Sequence, residues 1–281
     1  MSTFLDLLEL RAEENGRFIA PPAPDKGART YGGQFLAHSL RAAQLTVADD
    51  RHVHSTHSYF LRSGDVDSET VLEVDTIRDG RSFSQRQVVA LQEGKEMFRT
   101  IVSFHVPEAG LDWAPPHEVS DIGPDDIELG YYDFWESLLP PEEAPWPGRD
   151  RPMDIQYVNP PLGAEGEAIT EPQLMWMRLS EPLDAPRDLH DVGLAYLADA
   201  TLVDHVMLPH GYRWQDERLT GASLDHAMWF HRPAPADQWL LYDQRVESTG
   251  ASRGLASGRV LAPDGTLIAT CMQEGLMRWS S

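Results

Sequence analysis

The sequence predicts an α+β fold used twice, each copy a helix followed by a run of antiparallel strands. Three observations carry that expectation. The stretch Ala222-Ser-Leu-Asp-His-Ala-Met-Trp-Phe-His-Arg-Pro233 has a weaker copy at His54-Ser-Thr-His-Ser-Tyr-Phe-Leu-Arg-Ser63, and aligning Phe60 with Phe230 sets Arg62 under Arg232. The segments downstream of the two copies also correspond: Arg78-Asp-Gly-Arg-Ser-Phe83 and Gln92-Glu-Gly-Lys95 in the first half, Ser252-Arg-Gly-Leu255 and Pro263-Asp-Gly-Thr266 in the second. Both halves place a helical pattern before most of their strand patterns, as a sheet wrapped over one helix requires.

The elements come in order along the chain. Met1 to Leu10 reads as a short amphipathic helix with acidic residues; it lacks the basic start and unbroken apolar core of a signal peptide. Gly32-Gly33 opens a helix running to about Val47, with Leu36, Leu40, Ala43 and Val47 at helical spacing. Strand patterns come next at His54 to Leu61, Thr70 to Ile77, Ser82 to Leu91 and Glu96 to His105, with Asp79-Gly80 and Glu93-Gly94 as turn signals. The second half starts with a strand at Gln173 to Leu179 and a helix at about His190 to Met207. Strands succeed it near Ser223 to His231, Trp239 to Val246, Gly254 to Leu261 and Thr266 to Met272, with a hairpin turn at Asp264-Gly265.

Between the halves, Pro107 to Pro161 holds 11 of the 21 prolines together with Trp113, Trp135 and Trp146. The prolines discourage regular structure, while the tryptophans suggest packing. We expect an ordered connection with a short helix near Tyr131 to Leu139. The expected division is residues 1–107, a connection over 108–165, and residues 166–281.

Composition narrows the function classes. The balance of 23 Lys+Arg against 45 Asp+Glu gives a net charge of −22, which argues against nucleic acid or an anionic membrane surface as the main partner. No apolar run reaches the ~20 residues of a membrane-spanning helix. The single cysteine, Cys271, rules out an intramolecular disulfide and fits a reducing, cytoplasmic setting.

Asp199 is the sharpest single residue. It falls within an apolar helical stripe of Val192, Ala195, Tyr196, Leu202, Val203 and Val206, where a carboxylate is costly unless hydrogen-bonded; a helix register displaced by one residue is the bland alternative. Ser223 and Asp225 alternate on one strand face, with Leu224, His226, Met228 and Phe230 on the other. Gln273 comes after an apolar strand on the face of Leu267, Ala269 and Cys271, where an amide wants partners. Gly32-Gly33 begins a helix, whose N–H groups can bind an anion or a carbonyl oxygen, or simply form a tight turn. Gly250-Ala-Ser-Arg-Gly254 matches a nucleophile-elbow pattern, but a strand rather than a helix comes after it. His52, His54 and His57 suggest a metal site; on a strand His57 takes the opposite face, and we favour core and surface roles.

Several strings together resemble the type II acyl-CoA thioesterases, the double-hotdog enzymes. They are Tyr31-Gly-Gly-Gln34, the two repeat copies, Arg78-Asp-Gly-Arg-Ser-Phe83, Ala195-Tyr-Leu-Ala-Asp199, Trp239-Leu-Leu-Tyr242, Arg253-Gly254 and Gln273-Glu-Gly-Leu-Met-Arg278. The resemblance implies two helix-wrapped modules sharing one continuous sheet, further assembly into a homodimer or higher oligomer, and hydrolysis of fatty-acyl-CoA to fatty acid and CoA. Carried over by motif, the family's Asp, Thr or Ser, and Gln fall on Asp199, Ser223 and Gln273. They would activate and position a water, with N–H groups near Gly32 and Gly33 receiving the oxyanion. No metal or redox cofactor is implied. The chain has Ser223 where the family commonly has Thr, His38 for Gln, Ala198 for Ser, and no Arg at Met153-Asp-Ile-Gln156. A non-catalytic acyl-CoA binding module is the rival reading. Arg62, Arg78, Arg81, Arg232, Arg253 and Arg278 are candidates to offset the charge of CoA.

Overall fold

Two helices, one from each half, lie side by side against the same face of a single sheet. The computed structural model describes residues 3–22, 27, 29–138, 150–162, 166–213, 216 and 218–279. The first half contributes α1 (Phe4–Leu7), α2 (Gly32–Gln44) and the strands β1 (Arg11–Ala12), β2 (Arg17–Ala20), β3 (His52–Phe60), β4 (Thr70–Asp79), β5 (Phe83–Gln92) and β6 (Lys95–His105). After α3 (Tyr131–Glu136) come β7 (Met153–Tyr157), β8 (Gln173–Leu179), α4 (Arg187–Ala198), β9 (Leu219–Ser223), β10 (Asp225–Phe230), β11 (Leu240–Gly250), β12 (Arg253–Leu261) and β13 (Leu267–Trp279). Among the described residues the sheet has 13 strands in the order β1-β2-β4-β5-β6-β3-β10-β13-β12-β11-β8-β7, with β9 added to β13.

The repeated strings are the two strands that join the halves. β3 and β10 pair antiparallel, with Tyr59 opposite Asp225 and Ser55 opposite Trp229. The residue that the repeat aligns with His57 is Ala227, and Ala227 is also its partner across the seam. The pseudo-twofold axis therefore passes between these two residues.

α2 is buried on nearly every side because the sheet and α4 enclose it; Phe35, Leu36, Leu40, Ala42 and Ala43 are all below 5% exposed. Each of the larger side chains contributes about 1.5–3 kcal/mol through burial. Strand alternation delivers the facing layer, as in β5, where Ser84, Arg86, Val88, Ala90 and Gln92 point inward. Two-residue turns with positive φ close the hairpins at Glu93-Gly94 and at Ala251-Ser252. The second of these is the Gly250 to Gly254 motif: a hairpin between β11 and β12, with no helix after it.

The structure corrects four expectations. The helix expected over His190 to Met207 ends at Ala198 and gives way to a separate 3-10 turn, Asp204–His210. Thr201 takes a left-handed φ of 65° and stops the helix, while the apolar stripe continues because the turn packs on the same core. The strand expected over Ser223 to His231 is broken at Leu224. Three strands, β1, β2 and β7, lie where none is expected; β7 is an edge strand inside the proline-rich stretch. In that stretch Trp135 is buried on α3, but Trp113 is 81% exposed; Leu139 and Trp146 lie outside the described residues. The whole is the double-hotdog arrangement, two helix-and-sheet units built on one continuous sheet.

Candidate active site

Asp199 is the C-cap of α4 rather than a mid-helix residue. It is 8% exposed, and its position past the last turn turns its carboxylate away from α4 and toward the other half. There it meets the N-terminus of α2. Tyr31 caps that helix without a side-chain hydrogen bond, leaving N–H groups for another acceptor. The Gly33 N–H lies close enough to the Asp199 carboxylate to favour its charged form. A Cβ at Gly33 would lie 2.4 Å from both the Tyr196 carbonyl oxygen and the Tyr31 ring. Glycine is what lets α2 approach this closely, and the Tyr31 hydroxyl fixes the contact by donating to the Tyr196 carbonyl at 2.8 Å.

Gln273 links the remaining groups. It is fully buried on β13. Its Nε2 donates to Asp199 Oδ1 at 2.7 Å and to Ser223 Oγ at 3.0 Å. The three side chains singled out in the sequence thus form one hydrogen-bonded set with the amide at its centre. Gly32 and Gly33 border it from α2.

Ser223 reaches this set through a β-bulge. Ser223 pairs with Gly275 and Ala227 with Met272, so β9 and β10 carry one residue more than the β13 segment opposite. The Asp225 carboxylate stitches the irregularity by accepting from the Glu274 N–H at 2.8 Å. The extra residue reverses the alternation. Ser223 therefore shares the inward face with His226, Met228 and Phe230, contrary to the alternation read from sequence.

The same bulge recurs in the first half, between Val53 and Ser55 of β3, the positions the repeat aligns with Ser223 and Asp225. There the chemistry is absent. Val53 stands for Ser223 and, by register, Val102 for Gln273, and both are buried. The C-cap of α2 is Leu45 where that of α4 is Asp199.

Electrostatics sets the protonation of the site. Burial pushes Asp199 up to about 7, against the pull of the Gln273 amide, Arg151 and the Gly33 N–H; Asp204 adds a smaller upward push. Burial likewise holds Asp204 at about 6, with Arg151 opposing it. Arg151 is a residue that sequence reading missed. Its guanidinium lies 4.1 Å from the centre of the Tyr31 ring, so it supplies a cation beside the site from the connection. The only signal for it was a pair of arginines, Arg149 and Arg151, among prolines and acids.

Several of the other candidates have structural employment. His52 pairs with Asp188 at 2.8 Å, His54 with Ser103 Oγ at 2.8 Å, and His57 stacks edge-on against Trp229. Arg232 is bound to Asp112 and Arg253 to Glu274. Burial pushes the Cys271 thiol up to about 12, so it stays neutral.

Comparison with known proteins agrees with this architecture. Residues 19–105 match the model of the acyl-CoA thioesterase N-terminal domain, and residues 133–277 that of the acyl-CoA thioesterase C-terminal domain. Acyl-coenzyme A thioesterase 8 of Mus musculus is 34% identical over 264 residues, covering 89% of this chain and 80% of the relative. The crystal structure of an acyl-CoA thioesterase II from Mycobacterium marinum superposes with a TM-score of 0.79 at 35% identity, over 99% of this chain and 97% of the other. A hotdog-fold protein from Alicyclobacillus acidocaldarius shares the fold, with a TM-score of 0.79 at 18% identity and full coverage of both chains. With both family domains matched in order on one sheet, the chain belongs to the acyl-CoA thioesterase family.

Proposed function

We propose that this protein is an acyl-CoA thioesterase that hydrolyses a fatty-acyl-CoA to the free acid and CoA at one site per chain. The observation that carries the reading is the buried carboxylate of Asp199, held by Gln273 and by the first turn of α2, with Ser223 on the same amide. Apolar residues at the matching positions of the first half support a single working site.

A water bound among Asp199, Gln273 and Ser223 gives its proton to Asp199 as its oxygen adds to the thioester carbonyl carbon. Gln273 and Ser223 fix the direction of attack. Negative charge then develops on the carbonyl oxygen. The Gly33 N–H favours the charged form of Asp199, so we assign oxyanion stabilisation to the Gly32 N–H and to the positive end of the α2 dipole. Collapse of the tetrahedral species breaks the C–S bond, and protonated Asp199 returns its proton to the leaving thiolate.

Release of free thiol from a panel of acyl-CoA chain lengths tests the reaction. Asp199→Asn and Gln273→Ala should abolish it; full activity in both variants would move the site elsewhere. Tight acyl-CoA binding without turnover at any chain length would instead favour the binding-module reading. We further propose that the functional units are residues 1–107 and 166–281, joined by 108–165, that copies assemble into a homodimer or larger oligomer, and that the protein works in the cytoplasm, as its lone, buried cysteine suits. Among the described residues, no helix is long and apolar enough to cross a membrane.

A further inference from the structure

We propose that Tyr242 and Gln244 of β11 are positioning residues, holding the backbone on both sides of Asp199 so that its carboxylate is aimed for hydrolysis. The inference rests on the reading of Asp199 as the carboxylate that takes the proton from water.

The last carbonyls of a helix have no partners within it and must find them elsewhere. At the end of α4 they find them on β11. The Ala198 carbonyl accepts from the Tyr242 hydroxyl at 2.7 Å, and the Ala200 carbonyl accepts from Gln244 Nε2 at 3.2 Å. Residues two apart on a strand share a face, so one strand reaches the peptide that enters Asp199 and the Ala200–Thr201 peptide just beyond it. Both side chains are essentially inaccessible, at 0% and 1% exposure.

The segment being held is not relaxed. Thr201 has φ 65°, a conformation a β-branched residue seldom adopts. Gln244 grips this residue too: its Nε2 donates to Thr201 Oγ1 at 2.9 Å, and that hydroxyl lies 3.3 Å from Gln244 Oε1. A turn kept in such a state must be over-determined by its surroundings, and Gln244 is part of that determination. Strand β12 makes room for the other clamp. A Cβ at Gly258 would sit 2.3 Å from the Tyr242 ring, so this mid-strand glycine admits the ring that carries the hydroxyl. These bonds of Tyr242 and Gln244 go to backbone and to Thr201, so their effect on the reaction passes through Asp199.

The test compares Tyr242→Phe, Gln244→Leu and Asp199→Asn in the intact chain, with acyl-CoA as substrate and thiol release as the readout. Removing one clamp should lower kcat roughly tenfold, the scale of a lost hydrogen bond that also lets a reacting group drift, while KM changes less than twofold. A purely structural role predicts a lower Tm with kcat per folded molecule unchanged, and that result overturns the proposal. So does wild-type kcat in both clamp variants. If Tyr242→Phe fails to fold, Gln244→Leu decides by the same split between kcat and KM. An inactive Asp199→Asn beside fully active clamp variants sinks the positioning role alone. An active Asp199→Asn removes the reading of the site and this inference with it.

Discussion

Asp199 occupies the space that a side chain at Gly32 would need: a Cβ there would stand 2.6 Å from Asp199 Oδ2 and 2.8 Å from the Phe60 ring. The two halves thus meet at their point of chemical contact with no room for a methyl group. We predict that Gly32→Ala pushes α2 away from Asp199, lowers kcat about tenfold or more and destabilises the fold by about 1–3 kcal/mol. Thiol-release kinetics and thermal denaturation of the same sample check both parts. A variant with unaltered kcat would mean that this contact is dispensable.

Activity and stability should move in opposite directions with pH. Asp199 must be ionised to take a proton, so kcat/KM should rise as pH passes through about 7. The sign for stability is reversed. Its folded-state value lies above the ordinary 3.8, so the neutral form is favoured on folding. The associated stability is fully present below that ordinary value and is lost as pH rises through about 7. A pH–rate profile together with Tm measured from pH 5 to 8 tests the pair; an acid limb near pH 4 would show that Asp199 is not the group titrating.

Opposite charges beside the site should shift that acid limb in opposite directions. Arg151 lowers the proton affinity of Asp199 and Asp204 raises it. Arg151→Met should move the limb to higher pH, and Asp204→Asn to lower pH. Shifts of the same sign, or none, would show that neither charge is felt by the titrating group.

Away from the site, Asp191 offers a test of buried charge. It is 1% exposed, and the cation paired with it, Arg187, lies 3.5 Å away and is itself one-third exposed. Burial pushes Asp191 up to about 7, with Arg187 opposing. Stability associated with its neutral form is fully present below the ordinary 3.8 and is lost as pH rises to about 7. Asp191→Asn removes a charge that is buried only above pH 7. It should stabilise by about 1–2 kcal/mol at pH 8.5, and the gain should shrink steadily as pH falls toward 3.8, where both states are protonated. A loss of stability at pH 8.5 would mean that the ion pair outweighs the desolvation.

The long strands, the order of elements and the repeat are legible in the sequence because period-two burial and Gly-containing turns leave local marks. Asp199 is legible for the same kind of reason: a carboxylate among apolar residues is conspicuous even when the helix is drawn too long. The end of α4 is not legible, because Thr201 carries no glycine-like signal for a left-handed turn and the apolar stripe runs on through the next turn. The bulge at Leu224 escapes because one extra residue is visible only when β13 is laid alongside. The alternation that sends Ser223 to the wrong face is correct on each side of that break. Arg151 becomes meaningful only once folding sets a distant segment on the Tyr31 ring, and β7 is hidden by the prolines that flank it.

The placement of His57 against Ala227 at the pseudo-twofold axis has a consequence for how such a protein can change. In a homodimer built on this seam, the residue on the axis would face its own copy, and every substitution there would be made twice and have to tolerate itself. Here the two positions are encoded separately, and histidine meets alanine. Joining the halves in one chain also makes their encounter independent of protein concentration. Each side of the seam is free to diverge, so one half can lose its reactive groups and serve as the wall and helix terminus that the other half requires.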